Sequence, residues 1–324
     1  MQQSALVPTQ KQAFFHPRRL AHTNLYVTDL DATMRFYTEV VGLEEVYRTP
    51  LAGGGFVSNG STHHDLGFIT ADGPAGRPRQ AKAGQLNHLG FELETELALV
   101  EGYERASASG EKFLRTADHD VAHSVYGSDP DANTYELYAD VVTDWRNQRS
   151  GTVTKAKPIW TPGSTPPIEQ PMYHPSPALK RTESAVFHPE RTTGAAIVTG
   201  RLQEMSRYYE EVVGLRIVSR GSDGNLAVLA GTTGEPCLTL IQSSGSQGIG
   251  YHHVSMVVAD AFDLEESVKR AIGQGLPIVA DVNFMNRRAV TLRDLDGFLI
   301  QFHCDQGGEF NLDLINRELA LQLL

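Results

Sequence analysis

The chain has 324 residues, 40% apolar and 21% charged, with 28 Lys and Arg against 39 Asp and Glu. That length accommodates two ordinary domains, and a composition without a long biased tract excludes a disordered chain. The net charge of −11 repels phosphate backbones and anionic lipid, which argues against nucleic acid and membrane surfaces as partners.

From Met1 to Phe15 no basic stretch precedes an apolar core, so no secretory signal is expected. No apolar run approaches the roughly 18–20 residues that span a bilayer, and a cytoplasmic location is expected. Cys237 and Cys304 are too few for a disulfide framework or a thiolate cluster. Any metal must therefore be held by imidazole and carboxylate.

The first predicted strand, 21–27, places His22, Asn24 and Tyr26 on one face and Leu25 and Val27 on the other. An amphipathic helix follows from Leu30, ended by Gly42. Short strands come next, interrupted by Gly53-Gly54-Gly55-Phe56; this loop, with Asn24 and Tyr26, is a candidate substrate lining. In the strand 86–93, His88 and Gly90 share a face while Leu89, Phe91 and Leu93 share the other. A tight turn from Asp129 feeds a strand in which Glu136 points opposite to Tyr135 and Leu137. Residues 146–190, rich in Pro, Thr and Ser, predict an extended surface connector.

Beyond it the chain repeats. Leu202–Leu215 aligns without a gap on Leu30–Leu43 at a shift of 172 residues. His252-His253-Val254-Ser255-Met256 echoes Asn87-His88-Leu89-Gly90-Phe91, and Asp294–Phe302 echoes Asp129–Leu137. Duplication is the economical reading. It gives four modules, near 18–80, 84–142, 192–245 and 249–305. Residues 311–324 carry a helical stripe of Leu312, Ile315, Leu319 and Leu323, docked on its own domain or contacting another subunit.

Three strands of the first half thus present His22, His88 and Glu136 on the face that helices leave uncovered. Burying these groups costs several kcal/mol unless something compensates them. A divalent metal does so, and two imidazoles with one carboxylate form the facial triad of non-haem iron(II) sites, leaving open positions for substrate and dioxygen.

At these residues the sequence resembles the vicinal oxygen chelate superfamily, and within it the two-domain type I extradiol dioxygenases, from about residue 18 to 305. The resemblance implies an α+β fold of two domains, each a pair of βαβββ modules. A catalytic domain is expected over 16–145, the connector over 146–190, and a degenerate second domain with a C-terminal helix over 191–324. His22, His88 and Glu136, spaced by 66 and 48 residues, occupy the family's metal-ligand places for iron(II), or manganese(II). His64, in His64-Asp65-Leu66-Gly67-Phe68, is implied as the acid/base residue, with His63 as its rival. His119 is implied to contact substrate oxygen and Tyr126 to hydrogen-bond the bound catecholate. His123 has no assignable counterpart.

The implied activity is meta cleavage of a catechol by dioxygen, in an assembly expected to be a homo-oligomer. The better-known members carry the metal in the second domain. Here that half has Gly194 (or Thr193) for the first His and Gln301 for the Glu, and keeps His253; Thr291 and Phe284 stand at the Tyr126 and His119 places. Competing readings are a glyoxalase-like isomerase, a hydroquinone-cleaving dioxygenase and a ligand-sequestering binding protein.

Overall fold

The computed structural model describes residues 13–155, 157–245, 248–307 and 310–324. The first half runs β1 (Arg19–Val27), α1 (Leu30–Phe36), β2 (Glu45–Thr49), β3 (Gly54–Val57), β4 (Leu66–Thr70), β5 (Gln85–Glu92), α2 (Glu96–Ala108), β6 (Arg115–Asp118), β7 (Ala122–Ser128) and β8 (Thr134–Asp140). Two short elements follow, α3 (Trp145–Gln148) and β9 (Gly151–Thr152). The second half runs β10 (Pro189–Thr199), α4 (Leu202–Tyr208), β11 (Arg216–Ser219), β12 (Leu226–Ala230), β13 (Pro236–Gln242), β14 (Gly250–Val258), α5 (Ala261–Gly273), β15 (Ile278–Phe284), β16 (Arg287–Arg293), β17 (Leu299–Asp305) and α6 (Arg317–Leu323).

Each half is one mixed sheet. The first has the order β6-β7-β8-β5-β1-β4-β3-β2-β9; the second reads β11-β12-β13-β10-β14-β17-β16-β15, the same arrangement without the extra edge strand. The two modules of a half meet where their first strands pair antiparallel, β1 on β5 and β10 on β14. This is the α+β fold of paired βαβββ modules that the resemblance implies.

Local chemistry sets the helix ends. Asp29, Thr95, Asp260 and Asn316 cap α1, α2, α5 and α6 by accepting a bond from a first-turn amide. α1 and α4 are shorter than the periodicity predicts, because each passes into a five-residue π-helical turn, Tyr37–Val41 and Tyr209–Val213. Those turns end at Gly42 and Gly214 with φ of 89° and 87°. A Cβ at Gly42 would lie 2.0 Å from the Phe187 carbonyl oxygen, and one at Gly214 would lie 1.6 Å from that of Phe15. Glycine is required there by both conformation and space.

The halves interlock across these contacts. One apolar core joins β5, β8 and α2 to α4 and β13 (Leu89, Phe91, Leu99 and Leu137 with Ile197, Met205, Tyr209 and Leu240). The other joins the first module to the fourth (Leu25, Met34, Tyr37 and Phe68 with Val254, Met256, Leu264 and Phe302). The concave face of each sheet is left for other uses. In the second half it is filled by Ile315, Ala320, Leu323 and Leu324 against Ala196, Val198, Val228 and Ala289, so the C-terminal helix docks on its own half.

Candidate metal centre

The concave face of the first half holds the ionisable residues. β1 and β5 pair with His22 opposite Gly90, and β5 and β8 pair with Gly90 opposite Glu136, so the three strands bring His22 and Glu136 to either side of the glycine. A Cβ at Gly90 would fall 2.0 Å from His22 Nε2. The strand therefore yields its side-chain volume to the imidazole. His88, one pleat along β5, enters the same space.

The donor atoms converge. His22 Nε2 lies 3.0 Å and His88 Nε2 2.9 Å from Glu136 Oε2, and the three residues' ligand atoms lie within 4.8 Å of one another. All three side chains are buried, His22 completely. His88 Nε2 has no hydrogen-bond partner despite its closeness to the carboxylate, because its lone pair and proton directions miss it. A buried nitrogen aimed beside an anion fits a cation between them. Donors about 2.1 Å from a six-coordinate ion lie roughly 3 Å apart along an octahedral edge, which matches both N···O separations.

Electrostatics agree. Burial alone would raise the Glu136 pKa, but the adjoining His22 and His88 imidazoles outweigh it and hold the carboxylate ionised. Burial lowers His88 to about 4, leaving the neutral imidazole that ligates metals. A second group, His22, His63 and His64, also brings three imidazoles together. It lacks an anion to offset a divalent charge.

Around Glu136 stand the residues singled out in the sequence. Tyr126 donates its hydroxyl to Glu136 Oε1 (2.7 Å), and its oxygen lies 2.9 Å from His119 Nε2. With its one proton given to Glu136, Tyr126 accepts from His119, which fixes that ring as the Nε2–H tautomer. Burial holds Tyr126 well above its ordinary pKa and His119 well below. His64 packs against His22, tilted by 34° at 4.1 Å between centroids, and places Nε2 3.1 Å from Asn24 Oδ1, leaving its Nδ1 unpartnered. His63 lies 3.5 Å from Asp140, and burial raises that carboxyl to about 7. His123 points elsewhere, bonded to Glu96 at 2.6 Å and stacked on Trp160.

A cavity of about 140 Å³ opens above Glu136, lined by Asn24, Phe56, His64, His88, His119 and Tyr126 among others. It suits one small ring and is below the roughly 300–1,000 Å³ typical of drug-sized ligands. Of the predicted lining, Asn24 and Phe56 face it. Gly53 and Gly54 border a separate surface pocket, and Tyr26 packs with Val46, Tyr47 and Ile69. Three cationic residues that also line it, Arg79, Arg115 and Lys157, were not anticipated. Lys157 belongs to the Pro-rich segment, whose Arg149 and Trp160 also turn inward and are buried. No period-two pattern marks such positions.

In the second half Gly194 sits in the register of His22, opposite Ser255, and Gln301 replaces Glu136 opposite Thr291. His253 Nε2 is 2.9 Å from the Leu324 carbonyl oxygen.

The sequence profile described as the Glyoxalase/Bleomycin resistance protein/Dioxygenase superfamily matches residues 19–137 and 191–302, more than half of the chain. The chain belongs to this superfamily. Biphenyl-2,3-diol 1,2-dioxygenase 3 of Rhodococcus globerulus is 30% identical over 122 residues, covering 38% of this chain and 63% of that protein. The chain spans less than two thirds of the length of the curated relatives it matches first. The Mn(II)-bound glyoxalase of Novosphingobium aromaticivorans superposes with a TM-score of 0.67 at 14% identity, over 92% of this chain and 85% of that one. The 2,3-dioxygenase LapB of Pseudomonas sp. KL28 gives 0.66 at 16%, over 90% and 93%. These likenesses establish the superfamily's two-domain fold. No described helix is long and apolar enough to cross a membrane.

Proposed function

We propose that this superfamily member is a metal-dependent extradiol dioxygenase that opens a catechol ring. In this reading the ion, iron(II) with manganese(II) as the alternative, is held by His22, His88 and Glu136 in the first half, and the second half is a non-catalytic copy. The observation that carries it is the convergence of two imidazoles and one carboxylate, from three strands, beneath a cavity lined by His64, His119 and Tyr126. Glu136 is the one carboxylate among the residues lining that cavity, which favours ring cleavage over an isomerase built on two carboxylates.

When bound, the metal would acidify a catechol hydroxyl and couple the ring's electrons to dioxygen. The chain's own residues do the rest. Tyr126, kept protonated by burial, turns its hydroxyl to an ionised substrate oxygen, and His119 supports it from behind through Nε2–H. His64 is the proton carrier: Asn24 Oδ1 takes Nε2–H and fixes the tautomer, leaving the bare Nδ1 to collect a proton and return it. Such general acid–base help is worth ~10²–10⁴-fold. The stacked Tyr47 and Phe56 rings close the side of the cavity next to His64.

The test is direct. Protein loaded anaerobically with iron(II), given catechol and air, should form a yellow semialdehyde. His64→Phe should keep its iron and slow product formation by two orders of magnitude or more. Colourless wild-type reactions across a panel of substituted catechols would overturn the reading.

A further inference from the structure

The apolar filling of the second hollow is incomplete. Beside Leu324 a cavity of about 220 Å³ remains, lined among others by Thr193, Gly194, Thr239, Ser255 and His303. Its place in the fold follows from the repeat. Thr23 pairs with Leu66 as Ala195 does with Leu238, a shift of 172 residues, and Gly90 pairs with Glu136 as Ser255 does with Gln301, a shift of 165. Carried across, His22, His63 and His64 become Gly194, Glu235 and Pro236, and Tyr138 becomes His303. In the first half those four residues form a cluster of rings. Between centroids, His22 lies 4.1 Å from His64 and 5.1 Å from Tyr138, and His63 lies 4.6 Å from His64. In the second half the three imidazoles of that cluster are missing. Glu235 turns instead to Arg191 at 2.9 Å and is exposed. The cavity is the imprint of a ring cluster in which one ring is left.

That remaining ring is set up as an acceptor. Thr193 gives its one hydroxyl proton to the Ser255 carbonyl at 3.1 Å, so at 2.9 Å it accepts from His303 Nε2–H. This fixes the tautomer and leaves Nδ1 bare, buried and without a partner. Burial, and after it Arg287, holds the His303 pKa well below its ordinary value, so the ring is neutral. The charged residues around the cavity are matched, Arg191 with Glu235 and Arg287 with Asp305 at 2.7 Å, which gives an ion no advantage there. A neutral occupant fits, and aliphatic cavities of roughly 150 Å³ already accept benzene. Glu235 and Pro236 are exposed, which puts one wall at the surface as a way in. We infer that the second half binds a small neutral aromatic molecule with one hydrogen-bond donor, a monophenol or an azole, its ring in the space of the missing imidazoles and its donor on His303. The inference is independent of the ring-cleavage reading, since it uses no residue of the metal centre. It makes the second half a binding module in its own right.

The probe is 4-bromophenol, whose bromine can be located. Crystals of the full chain soaked with it should show an anomalous peak between Gly194 and His303. In solution, titration calorimetry should give a binding heat in the wild type that is missing from Thr239→Phe, where a phenyl group fills the cavity. Bromobenzene, which lacks the donor, should bind about fivefold more weakly than 4-bromophenol, the difference one neutral hydrogen bond makes. His303→Phe should reduce that ratio to near one while bromobenzene still binds. A bromine peak confined to the first half overturns the inference, as does a preference for the phenol that survives His303→Phe. Should Thr239→Phe fail to fold, the wild-type crystals and the His303→Phe ratio still decide.

Discussion

The two halves share a fold and differ in what fills the hollow of the sheet. In the first half three strands turn a carboxylate and two imidazoles inward, and the space above them stays open. In the second the same positions read Gly194, His253 and Gln301, and Leu323 and Leu324 of the C-terminal segment occupy the hollow with apolar atoms. The remaining imidazole is satisfied by the Leu324 carbonyl, and Ser255 bonds the same oxygen at 3.1 Å. A duplicated scaffold thus solves the same burial problem twice, once with ionisable groups that call for a cation and once with an ordinary core. Fold and site are separable, and the difference lies in a handful of side chains.

The sharpest way to break that contrast is to remove the anion. Glu136→Ala should abolish stoichiometric iron binding and all ring opening, whereas Gln301→Ala and His253→Ala should leave iron content unchanged by elemental analysis. Iron lost from His253→Ala would put the metal in the wrong half. A subtler pair probes space in place of charge. Gly90→Ala drives a methyl to 2.0 Å from His22 Nε2, so the ring must shift, at about 1–3 kcal/mol and with weakened iron retention. Ser255→Ala at the matching place loses only the bonds to Leu324 and Gln301, about 1 kcal/mol, and should leave metal untouched. Melting curves and iron content on both variants separate the outcomes; Gly90→Ala with full iron and native stability would show that the strand can yield.

Much of the site was legible because strand alternation is a strict code. His22, His88 and Glu136 stand out by pointing where apolar residues belong, and the structure places them on one concave face. The rest escaped for physical reasons. Lys157 and Arg149 reach the first half from a segment without periodicity, positioned by its backbone bonds: Val153 to Arg48, and Asp118 to Pro158. Arg115 is an unremarkable strand residue until its stacking on Tyr126 is seen. The cores shared between halves could not be read from either half alone. One signal was available and unused: Phe15-His16-Pro17 recurs as Phe187-His188-Pro189 at the same 172-residue shift, and each Phe carbonyl faces the helix-ending glycine of the other half.

That reciprocity extends to two buried tyrosine–aspartate links, which offer the smallest and most discriminating test. Tyr37 donates to Asp294 Oδ2, and its repeat mate Tyr209 donates to Asp129 Oδ2, each at 3.0 Å and each joining opposite halves. The acceptors differ. Asp129 Oδ2 also takes the Asn133 side-chain amide at 2.9 Å, whereas among the described residues Tyr37 is the one donor to Asp294 Oδ2, and Asp294 Oδ1 holds the Asp296 and Phe298 amides. Tyr37→Phe should therefore destabilise the protein by about 1–2 kcal/mol, more than Tyr209→Phe does. Burial raises Asp294 to about 6, so its favourable contribution is complete below the ordinary carboxyl pKa, near 4, and is lost as pH rises through 6. The tyrosine hydroxyl serves the ionised form, so the Tyr37→Phe defect should be largest above pH 6 and shrink towards pH 4–5. Urea denaturation at pH 5 and 7.5 measures this, and equal, pH-independent losses in the two variants would mean that the links are interchangeable and the halves more alike than their hollows suggest.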